Sequence, residues 1–165
     1  MLFRSILVGT TTENLGSTLA LREVWSREDG APPCVDLAVE RRAGDAVRAM
    51  IGQGLIKACH DLADGGLAIG LADMVMASGT GMAVRLPDGL SSAAGLFAED
   101  QGRYLLVIDP AKADLVFDAL DAAGVPSAPL GQAGGCELAI QNVLAIDVED
   151  LRASFEAWMP AWIGN

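Results

Sequence analysis

A chain of 165 residues and 17.1 kDa, 52% of it hydrophobic, has the size and apolar content of one domain with an ample core, and residues 1–165 are read as a single domain. A formal charge of -11 and a pI near 4.3 exclude an electrostatic nucleic-acid binder, because phosphate backbones are held by clustered lysine and arginine. A small phosphorylated ligand is not excluded, since a few N–H groups and one arginine can hold it locally against an unfavourable net charge.

Residues 6–8 form a short apolar run closed by Gly9, and the polar stretch 10–16 reads as a loop. Ser17 is placed to cap a helix running to about Trp25, and SREDGAPP at 26–33 is a surface loop. Asp36 opens the next helix, with Ala43, Val47, Met50 and Ile51 on one face and Arg41, Arg42, Asp45 and Arg48 toward water, ended by Gly52 and Gly54. Residues 55–59 read as a strand.

The stretch 57–81, KACHDLADGGLAIGLADMVMASGTG, follows as strand, loop and helix. Such a junction aims the first free N–H groups of the helix and the positive end of its dipole at whatever occupies the loop. The Gly65-Gly66 pair lets backbone approach a phosphate, so the place reads as an anion cradle, with neither Walker nor dinucleotide spacing. On the helix, Leu67, Leu71, Met74 and Val75 make an apolar stripe, and Ala68, Gly70 and Ala72 permit close packing on the other side.

Residues 82–86 alternate as a strand, PDGLSS is a turn-rich loop, and LFAEDQGR at 96–103 is a polar island before a strand at 104–108. Pro110 opens an amphipathic helix with Leu115, Val116, Ala119, Leu120 and Ala123 on its buried side, and Gly124 stops it. Residues 125–146 hold two or three short strands joined by tight turns. Asp147 caps a last helix through Leu151, Phe155 and Trp158, where Trp158 and Trp162 read as core or subunit contact. Helices that alternate with strands early and strands that run together late predict an α+β fold. It is an α/β sandwich with helices packed on a partly antiparallel mixed sheet.

Cys34, Cys59 and Cys136 are odd in number and lack CxxC spacing, which indicates neither a zinc site nor a disulfide framework and fits a reducing cytoplasm. No metal ligand set is expected. No apolar run has the length of a membrane span, and MLFRSILVG is too short for a signal peptide, so a cytoplasmic protein is expected.

Residues 32–84 followed by LFAEDQGRYLLVI resemble the C-terminal part of the phosphoribosylformylglycinamidine synthase family. ILVGTTTENLGST is similar to the strand and Gly-Ser turn that open that family's last domain, and GQAGGCELAI to its late Ile-Gly-x-x-x-Gly segment. HDLADGGLA combined with LFAEDQGR at this separation is specific, whereas either glycine pair alone would be weak. Two departures stand out: the serine of the family's DxSDGG is Ala63, and its LGGS turn is Leu15-Gly16-Ser17, one glycine short.

The resemblance implies the C-terminal domain of a larger ATP-dependent carbon-nitrogen ligase of purine biosynthesis, in the superfamily of aminoimidazole ribonucleotide synthetase. That enzyme converts formylglycinamide ribonucleotide to formylglycinamidine ribonucleotide: ATP activates the amide oxygen, and ammonia from a glutaminase subunit displaces phosphate. ATP and magnesium belong to the full-length enzyme, and neither is assigned to this chain. The implied partners are the synthetase's own N-terminal domains, the glutaminase subunit, the phosphorylated ribonucleotide and a second copy in a homodimer. The ATP-binding motifs are absent here, which implies that the chain alone is inactive.

By the same resemblance, Asp61, Asp64, Gly65, Gly66, Glu99, Gln101 and Arg103 are the candidate substrate-binding residues, with His60 as an auxiliary one. Each has a plainer reading. Asp64 can cap the helix, Glu99 and Arg103 can pair on the surface, and His60 can be a hydrogen-bonded structural histidine. Two other readings compete for the whole chain. It can be a non-catalytic dimerisation or docking module, or the C-terminal domain of a sibling ATP-dependent synthetase or kinase.

Overall fold

The computed structural model describes residues 2–164. In chain order these form β1 (Phe3–Val8), α1 (Leu19–Glu23), α2 (Leu37–Gly52), β2 (Ile56–Leu62), α3 (Gly66–Ser78), β3 (Met82–Val84), α4 (Ser92–Phe97) and β4 (Arg103–Ile108). A 3₁₀ turn at Pro110–Lys112 leads into α5 (Ala113–Ala122), then β5 (Ser127–Ala133), β6 (Glu137–Ile140), β7 (Leu144–Asp147) and α6 (Val148–Ile163).

The strands make one seven-stranded sheet in the order β2-β4-β1-β5-β3-β6-β7. All neighbouring pairs are antiparallel except β3 with β6, so the sheet is mixed and mostly antiparallel, as expected. Strands β1 and β4 lie inside the sheet and are covered on both faces, which is why ILV and LLVI are unbroken apolar runs rather than alternating ones. Alternation along them builds two cores. Leu7, Leu105 and Val107 join Leu67, Leu71, Val75 and Leu96 of α3 and α4 on one face. Ile6, Val8, Leu106 and Ile108 join Val47, Met50, Val116 and Leu120 of α2 and α5 on the other.

Local chemistry explains the helix ends. The Asp36 carboxylate accepts from Ala38 N and Val39 N at the head of α2, and Asp147 accepts from Glu149 N at the head of α6. Helix α3 ends at Gly79 in the left-handed region, φ 65°. Gly70 lets α3 close on β2, since a Cβ there would lie 2.4 Å from Leu62 Cδ2.

Several expectations are corrected. The second strand runs on to Leu62 instead of ending at Cys59, so His60 and Asp61 lie within it rather than at its end. PDGLSS does not stay a loop: Ser91 caps α4 by accepting from Ala94 N, and LF closes that helix instead of opening the polar island. Leu115 is exposed and not part of the buried side of α5. Phe155, Trp158 and Trp162 are exposed and form no core; Trp158 and Trp162 stack on each other, ring centroids 6.1 Å apart.

The first short helix is capped by Thr18, whose hydroxyl accepts from Leu21 N, and not by Ser17. Ser17 instead has φ 60°, the left-handed conformation that glycine adopts most readily. Ser17 thus holds the left-handed position of this turn, and Thr18 makes the cap.

Candidate functional site

Strand β2 ends at Leu62, and Ala63 and Asp64 carry the chain to Gly65 and Gly66, both with positive φ, 78° and 61°. Gly65 is the N-cap of α3 and makes no side-chain cap; Asp64 is exposed and does not fill that role. The glycines answer two different steric demands. A Cβ on Gly66 would lie 2.5 Å from Ala98 O and 2.8 Å from Leu96 O, so the turn is pressed against the backbone that leaves α4. The atoms nearest a Cβ on Gly65 would be those of the Ile69 side chain, the closest at 2.2 Å.

The two signature segments meet at this turn. Glu99 Oε1 accepts from Gly65 N at 2.7 Å and from Leu19 N, in the first turn of α1, at 2.8 Å. Gly66 N donates to Ala63 O at 3.0 Å. Both glycine N–H groups offered to an anion are thus engaged within the chain, one of them by a carboxylate.

Beneath Glu99 lies Arg103, 1% exposed. Its Nε donates to Asp100 O at 2.9 Å, its Nη1 to Thr11 Oγ1 at 3.1 Å, and its Nη2 to Ala98 O. Burial draws the Arg103 pKa downward, against the opposing charges of Asp100 and Glu99. Arg103 therefore neither pairs with Glu99 on the surface nor presents its fork to solvent. Asp100 holds the next residue, Thr12, accepting from its backbone N and from its Oγ1, both at 2.8 Å. Together Asp100 and Arg103 fasten the 98–103 segment to the loop that follows β1.

The remaining candidates spread around this centre. Successive strand residues point to opposite faces, so His60 and Asp61 diverge. His60 turns toward α3, its Nε2 3.5 Å from Asp73 Oδ2 and its Nδ1 against Asp61 O. Asp61 is exposed across the strand pair from Tyr104, on the α2 side. Burial first, then the charges of Cys59, Glu40 and Asp61, raise the Tyr104 pKa. Gln101 is exposed and lines a cleft of about 160 Å³ with Thr10, Thr12, Asp36, Glu40 and Asp100. Asp64 lies near α1, where its charge adds to those of Glu23 and Glu28 in raising the Arg22 pKa, Glu23 contributing most.

Sequence reasoning missed Thr11, Thr12, Thr18 and the Leu19 N–H as parts of this assembly. The signal was the run of hydroxyls in TTTENLGST directly after a buried strand, side chains suited to holding a loop rather than extending a sheet. Among the described residues no group of three or more His, Cys, Asp or Glu side chains is placed to hold a metal ion, and no helix is long and apolar enough to cross a membrane.

Residues 5–140 match the family described as AIR synthase related protein, C-terminal domain. The chain belongs to that family. This AIR synthase related C-terminal domain is 45% identical over 158 residues to the phosphoribosylformylglycinamidine synthase subunit PurL of Methylocella silvestris, spanning 96% of this chain and 22% of that protein. It is 46% identical over 158 residues to the subunit of the same name from Acidiphilium cryptum, again spanning 22% of it. The domain thus covers between a fifth and a quarter of these relatives' length.

Among solved structures, Thermotoga maritima PurL complexed with FGAR shares the fold, with a TM-score of 0.76 at 18% identity over 92% of this chain and 28% of that one. Escherichia coli HypE, a hydrogenase maturation protein, shares it more loosely, with a TM-score of 0.57 at 21% identity over 87% of this chain and 48% of that one.

Proposed function

We propose that this domain is the C-terminal substrate-binding part of a phosphoribosylformylglycinamidine synthase. The observation that carries the reading is the identity of 45% over 96% of the chain with a relative of that name. The complete enzyme converts formylglycinamide ribonucleotide to formylglycinamidine ribonucleotide in the cytoplasm, using ATP with magnesium and ammonia from a glutaminase subunit. The rest of the synthetase supplies the ATP site, and homodimerisation is a further expectation.

In this reading Asp61, Asp64, Gly65, Gly66, Glu99 and Gln101 belong to the substrate-facing side of the domain, while Arg103 and Asp100 hold that side in shape from beneath. His60 is auxiliary. Orientation is what such a surface contributes, because bringing an amide oxygen into line with a γ-phosphate lowers the barrier without any group of the domain changing covalently.

The test is a domain exchange. This chain replaces the corresponding segment of the Methylocella silvestris relative, and formation of formylglycinamidine ribonucleotide is followed with ammonia as nitrogen source. The reading expects turnover within about tenfold of the parent, a loss below 1.4 kcal/mol. A folded chimera of parental oligomeric state with no turnover would remove it.

A further inference from the structure

We infer that Glu99 is the resident anion of the glycine turn. It is a positioning residue that locks the head of α3 to the head of α1, and the phosphate of a phosphorylated ligand does not dock on Gly65. A single oxygen, Oε1, receives the N–H of Gly65 at 2.7 Å and that of Leu19 at 2.8 Å, from segments 46 positions apart in sequence. Gly65 is the N-cap of α3, where unpaired N–H groups and the helix dipole favour negative charge, and Leu19 is the first residue of the short α1. A carboxylate accepting charge-assisted bonds from two backbone donors does the work an external anion would do there.

The surroundings exclude a second anion. Gly66 N is taken by Ala63 O, and Asp64 adds a further carboxylate beside the turn. The Arg103 guanidinium, the one cation of this segment, is buried and spends its donors on Ala98 O, Asp100 O and Thr11 Oγ1. A ligand phosphate arriving at Gly65 would displace a covalently tethered carboxylate, and the donors of Arg103 would not be free to receive it. What the turn offers instead is a fixed backbone geometry, set by Glu99 for whichever ligand the complete protein carries. This conclusion does not depend on the reaction proposed above.

The experiment uses the 165-residue chain, ¹⁵N-labelled, with Glu99→Ala, Glu99→Gln and the unaltered protein compared by amide spectra. In Glu99→Ala the Gly65 and Leu19 resonances are expected to shift together, and added formate, a carboxylate of matching size, returns both toward their original positions along one saturation curve. A purely space-filling role would not respond to formate.

Glu99→Gln keeps an acceptor and shifts the same two resonances by less, which preserves the comparison if the alanine variant does not fold. Inorganic phosphate leaves the Gly65 resonance of the unaltered protein in place. Saturable movement of that resonance with phosphate, or independent behaviour of the two amides in the variants, would overturn the inference. The domain exchange reports on the reaction and these spectra on the turn, so failure of one is distinguishable from failure of the other.

Discussion

Arg103 and Thr11, 92 positions apart in the chain, are joined by a hydrogen bond of 3.1 Å from Nη1 to Oγ1. Together with the two backbone carbonyls that Arg103 also reaches, this bond closes the 98–103 segment onto the loop after β1. Lysine cannot reproduce a planar fork that serves three acceptors in different directions. Arg103→Lys is therefore expected to lower stability by about 2–4 kcal/mol, because buried acceptors lose their donors while a charge stays buried. Urea denaturation checks this. An unchanged midpoint would show that the buried guanidinium does not hold the segment.

The two glycines of the turn are predicted to differ in tolerance. Gly66→Ala sets a Cβ against the carbonyls of Leu96 and Ala98 at positive φ, whereas the atoms nearest a Cβ on Gly65 all belong to the exposed side chain of Ile69 rather than to backbone. A left-handed non-glycine residue costs roughly 1–2 kcal/mol, and Gly66→Ala adds a backbone displacement to that. Thermal unfolding is expected to rank Gly66→Ala as the more damaging change by at least about 1 kcal/mol. The reverse order would contradict the packing assigned to this turn.

Ser17→Gly is expected to stabilise the protein. Ser17 holds φ 60° and gives one exposed hydrogen bond, from Oγ to Gly30 O at 3.1 Å. Relief of left-handed strain outweighs that bond by about 0.5–1 kcal/mol, or a rise of roughly 2–4 °C in Tm per kcal/mol for a chain of this size. A lower Tm in calorimetry would mean that the hydroxyl matters more than the backbone.

Cys59 provides a pH test of the opposite side of β2. Burial first, then the charge of Asp61, raises its thiol pKa, so the protonated form persists to higher pH than in an ordinary cysteine. In a Cys34→Ser, Cys136→Ser background, the rate of alkylation by iodoacetamide should climb with pH to a midpoint above the usual thiol value of about 8.5. Asp61→Asn should move that midpoint down. A midpoint unaffected by Asp61→Asn would show that the two side chains do not share a face.

Much of the fold was legible because its signals are local. The apolar runs of β1 and β4, the cap at Asp36 and the stripe of Leu67, Leu71, Met74 and Val75 each follow from periodicity or from a single backbone demand. Helix α4 was not legible. Its six residues SAAGLF are too few to show a period, and PDGLSS before them reads as turn chemistry.

For the candidate site, the sequence signalled two segments but not their arrangement. HDLADGGLA and LFAEDQGR were paired by resemblance, and they do meet. That Glu99 fills the glycine turn, and that Arg103 faces inward, depends on contacts spanning 34 and 92 positions. Nothing in the residue types distinguishes such a carboxylate from one facing solvent. The exposed Phe155, Trp158 and Trp162 illustrate the converse, since a helical apolar spacing does not say whether this domain's own core covers the face.

The central claim is that one carboxylate holds two helix starts, and scalar coupling through the hydrogen bonds reads this directly. In a ¹³C,¹⁵N-labelled sample of the unaltered chain, a long-range correlation experiment should link the amide nitrogens of Gly65 and Leu19 to the same side-chain carboxyl carbon, that of Glu99. Correlation of either amide with a different acceptor, or of neither with Glu99 in a fully assigned spectrum, would contradict the account.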